Sequence, residues 1–274
     1  VEYSELFKET TISPRASLAY KTGARSQVSF AYGDFYQNPN STILKFYQNL
    51  KAEKAQHFIL NYQYNSDGRI FRADTYYKQY DNLVKYDSDF TSFEANYNTN
   101  GSGFAKGLDL FYRDNKSIKN IDYWVSYSFL DTKRDYRNYP IAAQPNFANK
   151  HNVSIVGKYW INKWKSQVGL SYAFASGRTY TNPNQGGFLN QKTKSYNSLS
   201  LNWAYLLSQQ KILYFSVNNV LGFKNINGYQ YANTPDVNNN FARQTLRPAA
   251  DQFFFVGFFW TISDNGTDNQ LNDL

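Results

Sequence analysis

"SLSLNWAY", residues Ser198–Tyr205, alternates without a break. Leu199, Leu201, Trp203 and Tyr205 are apolar or aromatic, and Ser198, Ser200, Asn202 and Ala204 between them are small or polar. Successive side chains of a β-strand point to opposite faces, so this stretch predicts a strand with one greasy and one wet face. The pattern recurs along the chain. Greasy faces read Ala16, Leu18, Tyr20; Val28, Phe30, Tyr32; Phe58, Leu60, Tyr62, Tyr64; and Phe71, Ala73, Tyr77. They continue with Leu108, Leu110, Tyr112; Tyr123, Val125, Tyr127, Phe129; Val153, Ile155, Tyr159; Val168, Leu170, Tyr172, Phe174; and Leu213, Phe215, Val217. A final run, "FFFVGFFWTI" (253–262), is apolar on both faces, which brings the expected strands to eleven, most of them roughly 8 to 12 residues long.

Composition narrows what the greasy face can meet. The 274 residues include 25 Tyr, 22 Phe and 5 Trp but only 2 His and no Cys or Met. Mean hydropathy is −0.65, and no stretch approaches the ~20 apolar residues of a membrane helix. A helical membrane protein is thereby excluded. A β-structure wet on one face fits, and so does a soluble β-sandwich. Without Cys there is no disulfide scaffold and no thiol chemistry. The opening "VEYSELFKET" has neither the basic start nor the apolar run of a signal peptide, and a chain without Met fits a mature or trimmed product. The net charge of +8 is spread over turns, loops and isolated strand positions. That is not the clustered basic element of a nucleic-acid binder, so no nucleic-acid partner is expected. It is compatible with an anionic membrane surface or an anionic ligand.

The connections decide between the two β-architectures. Five are short: "KTGA" (21–24), "NSDG" (65–68), "NKSIKN" (115–120), "INKW" (161–164) and "LSQQ" (207–210). Five are long and polar, spanning about Gly33–Lys54, Asp81–Gly103, Thr132–Lys150, Ser176–Lys194 and Gly222–Asp251, and the two kinds alternate. A sandwich has no reason to sort its loops this way, whereas a bacterial outer-membrane barrel has short periplasmic turns and long extracellular loops. The expected fold is therefore all-β, a transmembrane antiparallel β-barrel whose greasy faces meet lipid. Tyr20, Tyr64, Tyr159, Trp160, Trp164, Tyr205 and Trp260 lie near the short turns, where an interfacial aromatic girdle belongs. The opposite faces carry Arg72, Asp74, Tyr76 and Lys78, then Asp109 and Arg113, then Ser126 and Ser128. Charge facing lipid is costly, so Arg72, Asp74, Lys78, Asp109 and Arg113 are expected to face the lumen, their mixed signs suiting a packed protein element there. By this count the first and last strands both run inward, and eleven is the wrong parity for closure. Either Val1–Phe7 is a stub of another strand or the chain is part of a larger barrel, the reading favoured here.

Several passages also resemble a known family. "SPRASLAYKTGARSQVSFAYGDFYQNP" (13–39) is similar to the "SPR…Y…G…FYQ-P" passage of TonB-dependent outer-membrane receptors, above all those of Bacteroidetes. "AEKAQHFILNYQYNSDGRIFRADTYYKQYDNLV" (52–84), "NGSGFAKGLDLFYRD" (100–114), "YAFASGRTYT" (172–181), "VNNVLGFKN" (217–225) and the closing "FFFVGFFWTI" resemble further passages in the same order. The resemblance implies a barrel of about 22 strands around an N-terminal plug. Residues 1–262 would be its C-terminal half, and 263–274 ("SDNGTDNQLNDL") a polar tail that extends past the strand where many relatives stop. It further implies partners outside this chain: the plug domain, the N-terminal barrel half, the TonB energy-transducing complex acting through the plug, outer-membrane lipid and, in some members, a surface lipoprotein. No cofactor is implied. Ligand capture would fall to the long loops and outer lumen, through Tyr36, Arg134, Tyr136, Arg137, Arg178, Tyr180 and Tyr229, which can stack on flat ligands and pair with anionic ones.

Little in the sequence suggests catalysis. His57 opens a strand on the lumen side and His151 another at the outer rim, each read as a hydrogen-bonded strand-end residue. "NSDGR" lacks the 12-residue spacing and terminal Glu of a calcium loop and reads as a hairpin turn. The function the resemblance implies is that of a TonB-dependent transporter, which captures a ligand at its extracellular loops and imports it to the periplasm. Three alternatives stay open beside it: a passive porin-like or surface-binding barrel of about twelve strands, a soluble carbohydrate-binding β-protein and, for want of a His-centred site a distant one, an outer-membrane hydrolase.

Overall fold

The computed structural model describes residues 1–4 and 9–262; the polar tail lies outside the described residues. Eleven long strands carry the fold. They are β1 (Arg15–Gly23), β2 (Ser26–Gln37), β3 (Glu53–Ser66), β4 (Arg69–Tyr86), β5 (Tyr97–Asp114), β6 (Ile121–Asp135), β7 (His151–Ile161), β8 (Ser166–Ala175), β9 (Tyr196–Ser208), β10 (Lys211–Asn218) and β11 (Phe253–Trp260). All join one antiparallel sheet in chain order. β1 and β11 form its two edges, so the sheet is open and makes no closed twelve-stranded pore. The strand Glu2–Ser4 pairs with Glu9–Thr11 in a hairpin of its own and adds nothing to this sheet.

Short turns hold the hairpins together at one end. Ser66 pairs with Arg69 across Asp67 and Gly68, and Gly68 takes φ +73°, the left-handed conformation that favours glycine. A Cβ there would lie 2.4 Å from Asn115 Oδ1 in the neighbouring turn. That next turn is built on Asp114, whose side chain is buried. It accepts from the Lys116 and Ser117 amides (both 2.8 Å), from Tyr112 Oη (3.0 Å) and from Arg69 Nε (3.2 Å).

The register sorts the side chains as the alternation requires. Leu18, Phe30 and Leu60 align across β1 to β3, and Tyr159, Val168, Trp203, Phe215 and Val256 align across β7 to β11. This outward face is uncovered: Leu18 is 73% exposed and Val256 67%. No second sheet packs on it among the described residues, since the remaining sheets are two-stranded hairpins. A soluble sandwich would bury that face, so the sandwich alternative is set aside. A contiguous apolar face of this extent needs an apolar solvent.

Two features differ from the sequence reading. β4 and β5 run to 18 residues each, well beyond the ~9–11 a bilayer requires. The outward face of β4 turns polar at Gln79 and Asp81, and the outer end of β5 carries Asn98, Asn100 and Ser102, but backbone pairing does not depend on apolar side chains and both strands continue. The inward face is also not polar throughout. Ala204, Leu206 and Ile212 form a buried cluster against Trp160 and Tyr214 near the short turns, and Tyr214 lies 6.1 Å from Phe255 on β11. Tyr214 stands directly opposite Gly257, where a Cβ would meet the Phe255 and Phe259 rings. Rings crowd over the glycine that lets them approach.

Candidate ligand-capture site and lumen wall

Arg134 is the penultimate residue of β6 and points inward. Its neighbour on β5 is Gly103, whose own neighbour on β4 is Tyr80. With no side chain between them, the guanidinium reaches 4.4 Å from the Tyr80 ring; Phe147 (5.5 Å) and Tyr136 (5.7 Å) complete a cage of three rings. Such contacts stabilise a cation without neutralising it. Arg134 Nε is buried without a hydrogen-bond partner among the described residues. Arg137, at φ +54°, also lies over the Tyr136 ring, at 5.1 Å. Arg134, Tyr136 and Arg137 thus come together, lining a cavity of about 330 Å³ with Glu53, Asn40 and Thr42.

Tyr136 also opens a chain of rings through the outer loops. Tyr139 lies edge-on to Tyr136 (4.8 Å) and to Phe188 (4.7 Å). Burial in this stack, with Tyr136 adjacent, pushes the Tyr139 phenol up to about 12. Tyr180 and Tyr229 form a second pair at 4.7 Å, and Arg243 caps Tyr229 at the same distance. Polar bonds tie the same loops: Thr179 Oγ1 donates to the Gln144 carbonyl, and Asn184 exchanges two bonds with the Phe241 backbone. Arg178 stands apart from both clusters. It donates to Asn149 Oδ1 (3.2 Å) and lines a separate cavity of about 380 Å³ with Lys194 and Tyr196. Tyr36 lies on the outward register of β2 beside Lys54, whose ammonium is 5.7 Å from its ring.

The inner wall holds the other residues singled out in the sequence. Asp74 and Asp109 stand directly opposite each other on β4 and β5, with Asn61 Nδ2 donating to Asp74 at 2.5 Å. Arg72 and Lys78 flank Asp74 on the same face and form no ion pair among the described residues. Arg113 differs, since Asp122 holds it through two bonds of 2.9 and 2.6 Å. Tyr76 lies over Gly107 on β5, where a Cβ would come within 2.4 Å of its hydroxyl. His151 bonds Tyr127 Oη through Nδ1 (3.0 Å), and the His57 ring lies tilted 4.6 Å from that of Phe35. Among the described residues no group of His, Cys, Asp and Glu is placed to hold a metal.

Sequence reasoning passed over Tyr80, Tyr139, Phe147, Phe188 and Arg243. Their one signal was position in or beside long loops, and only the register across Gly103 singles out Tyr80.

A protein-family model described as "TonB dependent receptor-like, beta-barrel" matches residues 2–220. Among solved structures, the chain is similar to the FrpB iron transporter from Neisseria meningitidis, with TM-score 0.69 at 12% identity over 90% of this chain and 39% of that one. It is also similar to the outer membrane transporter YddB from Escherichia coli (0.67, 13%, 95% and 42%) and to the ferric-catecholate import receptor Fiu from Escherichia coli K12 (0.65, 11%, 90% and 34%). No curated protein matches the sequence. At these identities the likeness establishes the fold, and the chain spans less than half the length of each of these proteins. Receptors of this kind are transporters rather than enzymes and reside in the outer membrane of Gram-negative bacteria. With most of its length matched by the family model, and with one meander of membrane-length strands bare on its greasy face, this chain belongs to the TonB-dependent receptor β-barrel family.

Proposed function

We propose that residues 1–262 form the C-terminal half of a Bacteroidetes-type TonB-dependent transporter with about 22 strands in its complete barrel. The half captures an anionic ligand in its outer loops and passes it through a plugged lumen to the periplasm. The open eleven-stranded sheet carries this reading, because two free edges leave room for a complementary half. The inner wall supports a protein plug rather than a water-filled pore. It combines the opposed carboxylates Asp74 and Asp109, the cations Arg72 and Lys78, and the apolar patch around Ile212. The plug would in turn connect to the TonB complex, and a surface lipoprotein would cover the outer loops. The Bacteroidetes assignment rests on the passages at 13–39 and 52–84. Residues 263–274 belong to this proposal as a polar tail beyond the last strand.

Anionic ligands are favoured because both outer cavities are lined by cations, Arg134 and Arg137 in one and Arg178 and Lys194 in the other. The likeness to Fiu and FrpB makes ferric siderophores the first class to test. Labelled ferric catecholate, ferric citrate and a neutral oligosaccharide are offered to outer-membrane vesicles containing the full-length protein. The expected result is binding of a ferric complex that drops at least roughly tenfold in Arg134→Ala/Arg178→Ala, the loss of one or two charge-assisted contacts. Binding of the neutral sugar alone would refute the anionic assignment.

A further inference from the structure

The charge of this chain is organised at the short-turn rim in a way that ligand capture does not use. Asp67 and Asp114 are the acids in these turns, and both are engaged, Asp67 by Lys116 and Asp114 by Arg69. Lys119, Lys163, Lys165 and Lys211 form no ion pair with a carboxylate among the described residues. They come from three different turns, so the cations form an arc along the rim instead of one pocket.

Exposed aromatic rings adjoin these cations. Trp164, 60% exposed, sits between Lys163 and Lys165 in the turn after β7. The Lys211 ammonium lies 4.7 Å above the ring of Trp260, its partner across β10 and β11. Trp and Tyr at a membrane boundary settle at headgroup depth. Cations one residue further along therefore stand level with the phosphates.

We propose that the short-turn rim is a headgroup-binding belt that retains anionic phospholipids of the adjoining leaflet. The inference rests on the proposed transporter reading, in which this rim is periplasmic and the greasy face meets lipid. Each lysine donates to phosphodiester oxygens while the neighbouring ring covers the glycerol and upper acyl region. A zwitterionic lipid offers the same phosphate but brings its own ammonium into the arc, where like charge opposes it. Selection is thus for net negative charge, not for one headgroup, and it weakens as salt screens the exposed cations.

To test this, the full-length protein is reconstituted into lipid discs of phosphatidylcholine with a minority of phosphatidylglycerol, and native mass spectrometry counts the lipids that stay bound. Phosphatidylglycerol should be retained several-fold over its share of the mixture. That preference should fall toward the mixture's own ratio in high salt and in Lys163→Gln/Lys165→Gln/Lys211→Gln, while Lys45→Gln/Lys51→Gln, at the opposite end, should keep it. Salt acts on the unaltered protein, so this arm does not depend on a variant folding. Retention in proportion to the mixture, or a triple variant as selective as the natural protein, overturns the belt and leaves the transporter standing. Stronger retention of soluble peptidoglycan fragments than of phosphatidylglycerol overturns it in favour of a cell-wall contact. Failure of the protein to enter discs at all overturns both.

Discussion

The guanidinium of Arg134 on β6 lies 4.4 Å above the ring of Tyr80 on β4, although a whole strand separates them. The contact exists because the intervening residue of β5 is Gly103. A Cβ at Gly103 would fall 2.7 Å from the Lys133 carbonyl oxygen and 3.0 Å from Arg134 Cγ. Gly103→Val is therefore expected to expel Arg134 from its cage and to destabilise the folded barrel by about 1–3 kcal/mol, the usual scale of overpacking. Equilibrium unfolding in urea reads the stability and ligand binding reads the displaced cation. Tyr80→Phe keeps the ring face and should behave as the natural protein in both.

The two faces of β9 give opposite outcomes for the same substitution. Leu201 is on the outward face and Ser200 on the inward one. Leu201→Arg should cost ~2–4 kcal/mol if the site lies near the bilayer midplane, and Ser200→Arg much less, since a lumen-facing arginine keeps its hydration. Folding of the full-length variants into liposomes, followed by heat-dependent gel mobility, checks the difference. Equal costs would contradict the lipid assignment of the outward face.

Asp114 organises its turn by accepting from the amides of Lys116 and Ser117. Asp114→Ala leaves both donors without that partner, so hydrogen exchange at these two amides should accelerate several-fold. Exchange along β9 should not change, because that strand shares no contact with the turn.

Acid should release the loop after β4. Asp87 accepts from the backbone amide of Asn96 (2.9 Å) and from its side chain (2.6 Å), and the side-chain bond above all holds the carboxyl below its ordinary pKa. A depressed carboxylate stabilises the fold fully above its unfolded pKa of about 3.9 and loses that contribution as pH falls through the lower folded value. Pepsin cleavage at the exposed Phe90 and Phe93, normalised to a free peptide, should therefore rise below pH ~4. In Asp87→Asn, whose side chain cannot ionise, this acid-dependent rise should disappear.

Strands, faces and turns were legible in the sequence because each is fixed by neighbours a few residues apart. The alternation in Ser198–Tyr205 sets which side chains share a face, and Asp67–Gly68 supplies the positive φ that a two-residue hairpin needs. Lengths were less legible. β4 and β5 continue as far as Tyr86 and from Tyr97, since backbone pairing persists where the side chains have turned polar. The capture residues were legible only as a type. Basic and aromatic loop residues were picked out, but Tyr36 lies on the outward register beside Lys54, Arg178 in its own cavity, and Arg134 with Tyr136 in a cage completed by Tyr80 and Phe147.

By itself the sequence determined a one-sided meander of strands with long loops at one end and short turns at the other, because side-chain period and turn chemistry act over short range. Tertiary structure alone decided which cation meets which ring and which carboxylates face each other. Those pairings depend on register between strands far apart in the chain, on bulges such as the one between Tyr80 and Leu83, and on where a glycine leaves a gap.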